Sequence, residues 1–156
     1  MRTTGPRRRN SDEPTVIVIQ RASRAKHIPT DARLRKWARA AMGRDAQVTI
    51  RYVAEAEGRR LNKEYRRRDY ATNVLTFVYG KNPLAGDVVI CAPIVAREAD
   101  EQGKGLDAHH AHMLVHGLLH LRGFDHENER DAQRMERRER TILARLGFGD
   151  PYARAE

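Results

Sequence analysis

The spacing of apolar residues predicts a small domain in which strands and helices alternate. The β-branched run "VIVI", at 16–19, predicts a buried strand. In "QVTIRYV", at 47–53, apolar and polar residues alternate with the period of a half-buried strand. Two further strands are predicted by "NVLTFVY" and "GDVVICA", at 73–79 and 86–92.

The first two predicted helices follow the first two strands. Thr30 is the expected N-cap of the first helix. The apolar positions of that helix keep the i, i+3, i+4, i+7 spacing of one face and are Leu34, Trp37, Ala38 and Ala41. Residues 54–68 are rich in Ala, Glu, Arg and Leu, and Leu61 and Tyr65 lie four apart, so they predict the second helix.

Three more helices are predicted after the last strand. Pro93 suits the first turn of the third helix, and Asp107 is the expected N-cap of the fourth. Residues 127–148 predict the fifth helix, which Gly147 is expected to end. The core stripe of the fifth helix contains Ala132, Met135, Ile142, Leu143 and Leu146. This order predicts a single α+β domain over 14–156, with a mixed sheet of about four strands packed with about five helices.

Composition narrows the class of protein. With 40% hydrophobic but only 6% aromatic residues, the core is expected to be aliphatic. Cys91 is the single cysteine, so an intramolecular disulfide is excluded, and we expect an inert core thiol. No apolar run approaches the ~20 residues of a membrane span, and no apolar stretch follows the first arginines. We therefore expect a cytoplasmic protein without a membrane segment.

The charge balance favours a polyanionic partner. The net charge is +9, from 30 Lys and Arg against 21 Asp and Glu, which is typical of proteins that bind nucleic acid. The alternative is a basic surface that is only solvated. Residues 1–13, "MRTTGPRRRNSDE", lack apolar residues after Met1 and predict a disordered basic tail, whose arginines are either solvated or in contact with phosphate.

Four histidines lie near one stripe of the fourth helix. His109, His112, His116 and His120 are spaced by 3, 4 and 4 residues. Apolar residues flank this stripe, so we expect its side chains to point toward the fold. His109 and His112 are expected to be either hydrogen-bonded core residues or supports for a site. His110 faces elsewhere and is expected to be exposed.

The last two of these histidines predict a metal site on the central helix and the turn that follows it. The i, i+4 spacing of His116 and His120 lets one zinc ion accept both imidazoles at about 2.0–2.1 Å. Gly117 between them lets another group approach the helix closely, at a cost of about 1 kcal/mol in helix propensity. Gly123 suits a left-handed C′ position, after which "FD" turns the chain and returns His126. Three imidazoles with an open fourth position are typical of catalytic zinc.

This arrangement resembles the H-E-x-x-H site of zinc peptidases but differs in one decisive residue. Gly117 stands where such a peptidase has its general-base glutamate. His126 also follows His120 by six residues, a different spacing. Three neutral imidazoles leave the metal its full positive charge, which favours an anionic substrate.

The string "HGLLHLRGFDH", residues 116–126, resembles the H-G-x-L-H-L-x-G-[YF]-D-H signature of the YbeY family of bacterial metal-dependent endoribonucleases. "LNKEYRRRDYATNVLTF", "GDVVIC" and "LGFGDPY" also resemble segments of that family, in the same order, and together cover most of residues 50–153. The resemblance implies a small sheet packed with helices. It also implies that His116, His120 and His126 bind one zinc ion per chain and that Arg66, in "YRRRD", is functionally important.

The same resemblance implies a substrate and partners. The expected activity is single-strand-specific, zinc-dependent hydrolysis of RNA in 16S rRNA 3′-end maturation and late ribosome quality control. Ribosomal RNA and the small ribosomal subunit are the expected partners.

Several roles stay open at the level of sequence. The guanidinium fork of Arg66 suits two phosphate oxygens and the charge of a phosphorane-like transition state, unless Arg66 is solvated like Arg67 and Arg68. Asp125 either accepts an N–H from a ligand imidazole or forms the turn. A hydroxide generated at zinc would attack phosphorus directly or deprotonate the RNA 2′-OH. The alternative classes are a non-enzymatic ribosome-associated factor with a structural metal and a zinc peptidase.

Overall fold

A four-stranded mixed sheet forms the centre of the computed structural model, which describes residues 14–153. The spatial order is β1-β2-β4-β3, where β1, β2 and β4 are parallel and β3 is antiparallel to β4. The strands are β1 (Val16–Ala22), β2 (Ala46–Val53), β3 (Val74–Lys81) and β4 (Leu84–Cys91). The predicted α+β class and mixed sheet are therefore confirmed, whereas the predicted basic tail at 1–13 lies outside the described residues.

Five helices connect and cover the strands, as predicted. They are α1 (Asp31–Met42), α2 (Glu55–Arg66), α3 (Ala92–Glu101), α4 (Leu106–Leu121) and α5 (Glu129–Arg145). The side chain of Thr30 accepts the backbone N–H of Arg33, which confirms the predicted cap of α1. Pro93 lies in the first turn of α3, where its missing N–H leaves no hydrogen bond unmade.

The helices cover both faces of the sheet. The main core lies on the face under α1 and α4, where Leu34, Ile50, Val88 and Leu118 are buried. A smaller cluster under α2, on the other face, includes Cys91. Burial raises the pKa of the Cys91 thiol, which agrees with the inert role expected of it.

The prediction that β1 is a buried strand was wrong. β1 lies at an edge of the sheet, so Val16 and Val18 point away from the core and are 54% and 46% exposed, whereas Ile17 faces inward and is buried. A β-branched run favours a strand in either position, but it does not show whether the strand has one neighbour or two, or whether both of its faces are covered.

The sheet and α4 approach each other closely at Gly117, as its small size predicted. A Cβ built at this position would lie 2.8 Å from Val88 Cγ1 and 3.1 Å from Val74 Cγ2, so a larger residue would force α4 or these valine side chains to shift. The predicted start of α4 was wrong by two residues. Its N-cap is Gly105, and Asp107 lies in the first turn, where its carboxylate pairs with Arg33 instead of capping the helix.

The end of α4 follows the predicted glycine stop. Gly123 has a φ of +95°, in the left-handed region. The N–H of Gly123 donates to His120 O and the N–H of Phe124 donates to Leu119 O, both at 3.0 Å, which is the Schellman pattern. Asn128 then caps α5 by accepting the N–H of Asp131 at 2.8 Å.

The expected exposure of His110 was wrong. Its side chain is fully buried, and Nδ1 lies 3.0 Å from the hydroxyl of Tyr52 in β2. Because α1, α3, α5 and the sheet all contact α4, this part of the helix has no solvent-facing side. Burial lowers the pKa of His110 to about 4.

Acid should therefore destabilise the fold partly through His110. Its folded-state pKa of about 4 lies below the ordinary 6.5, so the unfolded chain takes up the proton first as the pH falls. The lost stability, on the order of 3 kcal/mol, should accumulate between about pH 6.5 and 4. We expect His110→Gln to lose correspondingly less stability across this window, measured as the free energy of unfolding in urea with a chelator present.

The matched control is His27→Gln, which changes an exposed histidine. Equal pH slopes for His110→Gln and the unmodified protein would contradict the prediction.

Candidate metal centre

The three histidines predicted as ligands converge. His116 and His120 come from successive turns of α4, and His126 returns from the turn that Gly123 begins. The ring centroids lie 4.8 Å apart for His116 and His120, 4.9 Å for His120 and His126, and 5.5 Å for His116 and His126. One nitrogen from each ring lies within 4.8 Å of the other two, so the three could hold a single metal ion.

The electrostatics of the cluster favour a neutral imidazole at His120. Burial, and then the neighbouring His116 and His126, lower the pKa of His120 to about 4. Near neutral pH the ring of His120 is therefore uncharged and keeps the lone pair that a metal ion requires.

A buried glutamate in α5 hydrogen-bonds one of the three histidines. Oε1 of Glu139, in α5, lies 3.0 Å from Nδ1 of His116. Oε2 lies 2.5 Å from Nε2 of His112, and the hydroxyl of Tyr152 donates to it at 2.8 Å. Burial alone would raise the pKa of Glu139, but the bonds to His112 and His116 outweigh it and hold the pKa well below its usual range. The carboxylate thus engages Nδ1 of His116, which leaves Nε2 as the nitrogen available to a metal.

Sequence reasoning missed Glu139, although a signal was present. The residue lies within the apolar stripe of α5, four positions after Met135 and three before Ile142, both of which are buried. An ionisable residue in a core stripe is rarely buried without a partner, so this interruption of the pattern marked a polar network.

The two upstream histidines are buried in hydrogen-bonded positions. His112 binds one oxygen of the Glu139 carboxylate and His116 binds the other, so Glu139 links the two rings through two hydrogen bonds. Nε2 of His109 lies 3.0 Å from Oε1 of Glu98 in α3, and Glu98 also accepts the side chain of Asn73 at 3.1 Å. His112 thus supports a candidate ligand, whereas His109 connects α4 to the residue that precedes β3.

Asp125 forms the turn. Its Oδ1 accepts the backbone N–H of His126 at 2.6 Å, and within residues 14–153 it makes no hydrogen bond to an imidazole. Of the two roles considered for Asp125, the structure therefore shows the one that orients the backbone at His126.

The three histidines line a cavity of about 620 Å³. Arg66, the last residue of α2, and the start of β3 line the same cavity. Arg67 has a left-handed φ of 57° and ends the helix. Of Arg66, Arg67 and Arg68, only Arg66 lines the cavity, and Arg68 instead donates to the hydroxyl of Tyr70.

An unpaired guanidinium and a pair of aromatic rings also line the cavity. Among the described residues, Arg66 makes no ion pair or side-chain hydrogen bond, so its five N–H donors are available to a ligand. Beside it, Tyr65 is 61% exposed and packs edge-on against Phe77, with ring centroids 5.1 Å apart. The cavity thus combines nitrogen ligands, one free cation and an exposed aromatic ring.

Comparison with known proteins places this chain in a family. The family model described as endoribonuclease YbeY matches residues 18–147. The chain belongs to the endoribonuclease YbeY family. The matched part of this YbeY family member includes Arg66, His116, His120 and His126, whereas Tyr152 lies beyond it.

Curated relatives of this YbeY family member are similar over most of its length. Endoribonuclease YbeY of Aromatoleum aromaticum is 57% identical over 141 residues, which cover 88% of this chain and 92% of the relative. Endoribonuclease YbeY of Verminephrobacter eiseniae is 53% identical over 136 residues, which cover 86% and 85%.

A solved structure supports the fold. The solution structure of TM1509 from Thermotoga maritima has a TM-score of 0.56 with this chain at 24% identity, and the match covers 88% of this chain and 100% of the other. At that identity the likeness concerns the fold alone.

Within residues 14–153, no helix is both long enough and apolar enough to cross a membrane.

Glu139→Gln should weaken metal binding without unfolding the protein. The amide keeps the size of the side chain but loses the carboxylate charge that orients His116, and loss of such a partner typically lowers metal affinity about 10–100-fold. Zinc affinity, measured by competition with a chromophoric chelator, should fall by this factor. Glu136→Gln, on the same helix, is the matched control, and equal affinities for the two variants would refute the role given to Glu139.

Proposed function

We propose that this protein is a metal-dependent endoribonuclease that hydrolyses phosphodiester bonds of single-stranded RNA. The observation that supports the proposal most strongly is the cavity that Arg66, alone of three consecutive arginines, lines together with three converging histidines. The names of the relatives support the same activity. By extension, the protein acts in the cytoplasm on ribosomal RNA of the small subunit, in 16S rRNA 3′-end maturation and late ribosome quality control.

In this proposal His116, His120 and His126 hold one zinc ion per chain. The donor set fits, because the three rings converge and the hydrogen bond between Nδ1 of His116 and Glu139 leaves Nε2 for the metal. The chemistry that such an ion supplies when bound is Lewis acidity, which lowers the pKa of water toward about 7 and polarises a phosphoryl oxygen.

Other residues of the chain bind and orient the substrate. The guanidinium of Arg66 binds two oxygens of the scissile phosphate and stabilises the negative charge that develops there. Glu139 keeps the proton on Nδ1 of His116, and the exposed ring of Tyr65 offers a surface on which an unpaired base can stack. Direct attack on phosphorus and prior deprotonation of the RNA 2′-OH both suit this arrangement, and a 2′,3′-cyclic phosphate end would exclude direct attack.

Arg66→Ala should slow cleavage of single-stranded RNA strongly. Loss of one group that stabilises transition-state charge typically lowers kcat about 10²–10³-fold. The zinc content should stay at that of the unmodified protein, because a protonated guanidinium does not bind a metal ion and the three converging histidines are unchanged. The measurement is cleavage of a ribosomal RNA fragment, paired with metal analysis of the same samples.

Arg67→Ala is the matched control, since it removes an adjacent arginine that does not line the cavity. Equal losses in the two variants would show that only general positive charge matters and would overturn the role of Arg66.

His120→Ala should lose both metal and activity while the fold persists. His120 is only half-buried, and its loss leaves two imidazoles at the site. We expect zinc content to fall well below one ion per chain and RNA cleavage to become undetectable, with an unchanged circular dichroism spectrum. His27→Ala is the control. Full cleavage by metal-free His120→Ala would refute a metal mechanism, and a protein that holds zinc but never cleaves RNA would indicate a structural metal.

A further inference from the structure

A second basic surface lies beside the metal centre. Residues 134, 137, 138 and 141 of α5 follow the i, i+3, i+4, i+7 spacing of one helix face. Together with the turn after α4 they line an open groove of about 360 Å³. We call it the arginine groove, and its lining residues are Arg122, Phe124, Arg134, Arg137, Arg138 and Thr141.

The arginine groove lacks counter-charges among the residues that the structure describes. No carboxylate lines it, and within 14–153 the guanidinium groups of Arg137 and Arg138 make no ion pair or hydrogen bond. Arg140, on another face of the same helix, instead pairs with Asp150 at 3.1 Å. The free cations of α5 are thus concentrated on the face that lines the groove.

Crowding of like charge is visible at one end of the groove. Arg122 is held by its hydrogen bond to the carbonyl of Ala41 at 2.8 Å, and its pKa is lowered first by burial and then by the charge of Arg138. Such repulsion destabilises the folded state unless an anion neutralises it. A bound polyanion would relieve it.

The arginine groove is continuous with the turn that carries His126. A smaller pocket, which contains the carboxylates of Asp125 and Asp131, shares Arg122, Phe124 and Arg134 with the groove. Asp125 directly precedes His126, which lines the metal cavity, so an RNA strand that leaves the cavity at His126 meets the pocket that adjoins the groove. The guanidinium carbon of Arg134 lies 5.3 Å from the centroid of Phe124, so this path also contains a stacked cation and ring.

We propose that the arginine groove binds the phosphates of the RNA strand on one side of the cleavage point. This inference rests on the proposed endoribonuclease function and extends it from the scissile phosphate to a flanking segment. An acidic protein segment would match the charge, but the turn at Asp125 and His126 places the groove next to the cavity in which the proposed function already places RNA. A substrate too short to leave the cavity therefore gains nothing from Arg137 and Arg138.

The test compares two single-stranded, cleavage-resistant 2′-O-methyl RNA analogues of about 4 and about 16 nucleotides. Their affinities are measured by fluorescence anisotropy at several salt concentrations for the unmodified protein and for Arg137→Gln/Arg138→Gln. The ratio of the long-analogue affinity to the short-analogue affinity should fall on the order of tenfold at about 0.1 M salt. The salt dependence of log K for the long analogue should become shallower by about 0.7 for each phosphate that the variant no longer neutralises.

Arg24→Gln/Lys26→Gln is the matched control because it also removes two exposed positive charges. These residues follow the carboxyl end of β1, whereas Arg122 follows Leu121, which packs on Gly86 near the opposite end of the sheet. An unchanged affinity ratio in Arg137→Gln/Arg138→Gln would overturn the proposal and leave an acidic protein as the better partner. An equal fall in the control would overturn it too, because net charge alone would then explain the loss.

Cleavage by the unmodified protein is measured separately on unprotected RNA. If it cleaves nothing, the proposed function fails, whereas the affinity ratio still decides whether the arginine groove binds RNA.

Discussion

The contact between α4 and the sheet at Gly117 determines where the site can form. A Cβ at this position would lie 2.8 Å from Val88 Cγ1, so glycine lets the helix lie this close to β3 and β4 without a shift of the valine side chain or of α4. His116 precedes Gly117 directly, and His120 follows three residues later at the same closely packed end of α4. The close packing fixes the distance of the His116 and His120 rings from the sheet. Both rings therefore line the same cavity as Arg66 and the start of β3.

Glu139 connects this packing to the rest of the chain. Its carboxylate joins α5 to His112 and His116 in α4 and to Tyr152 beyond the last helix. A buried charge is costly unless its lone pairs are satisfied, and here three donors surround two oxygens. The network therefore makes the position of a candidate ligand depend on correct docking of α5, which also carries the arginine groove.

Features that depend on neighbouring residues in the chain could be predicted from the sequence, whereas the burial and long-range contacts of individual side chains could not. The i, i+4 pair of His116 and His120 and the stop at Gly123 depend on helix geometry within a few residues, and the structure reproduces both. The burial of His110 depends on α1, α3, α5 and the sheet enclosing α4, so its position on the helix did not reveal it. Glu139 is 23 residues from His116, and only its place in an apolar stripe signalled the contact.

The packing also bears on why the site differs from a zinc peptidase. A general-base glutamate would stand at position 117, directly after His116, but the Cβ direction there points into Val88 and Val74 of the sheet. A glutamate at 117 would therefore direct its side chain against these valines and could enter only if they or α4 shifted. The cavity instead has a free guanidinium at Arg66 and a neutral imidazole at His120, and no carboxylate of the described residues lines it, so the guanidinium gives it a positive charge before any metal is counted. A phosphodiester carries the negative charge that such a cavity can bind, whereas a peptide bond does not.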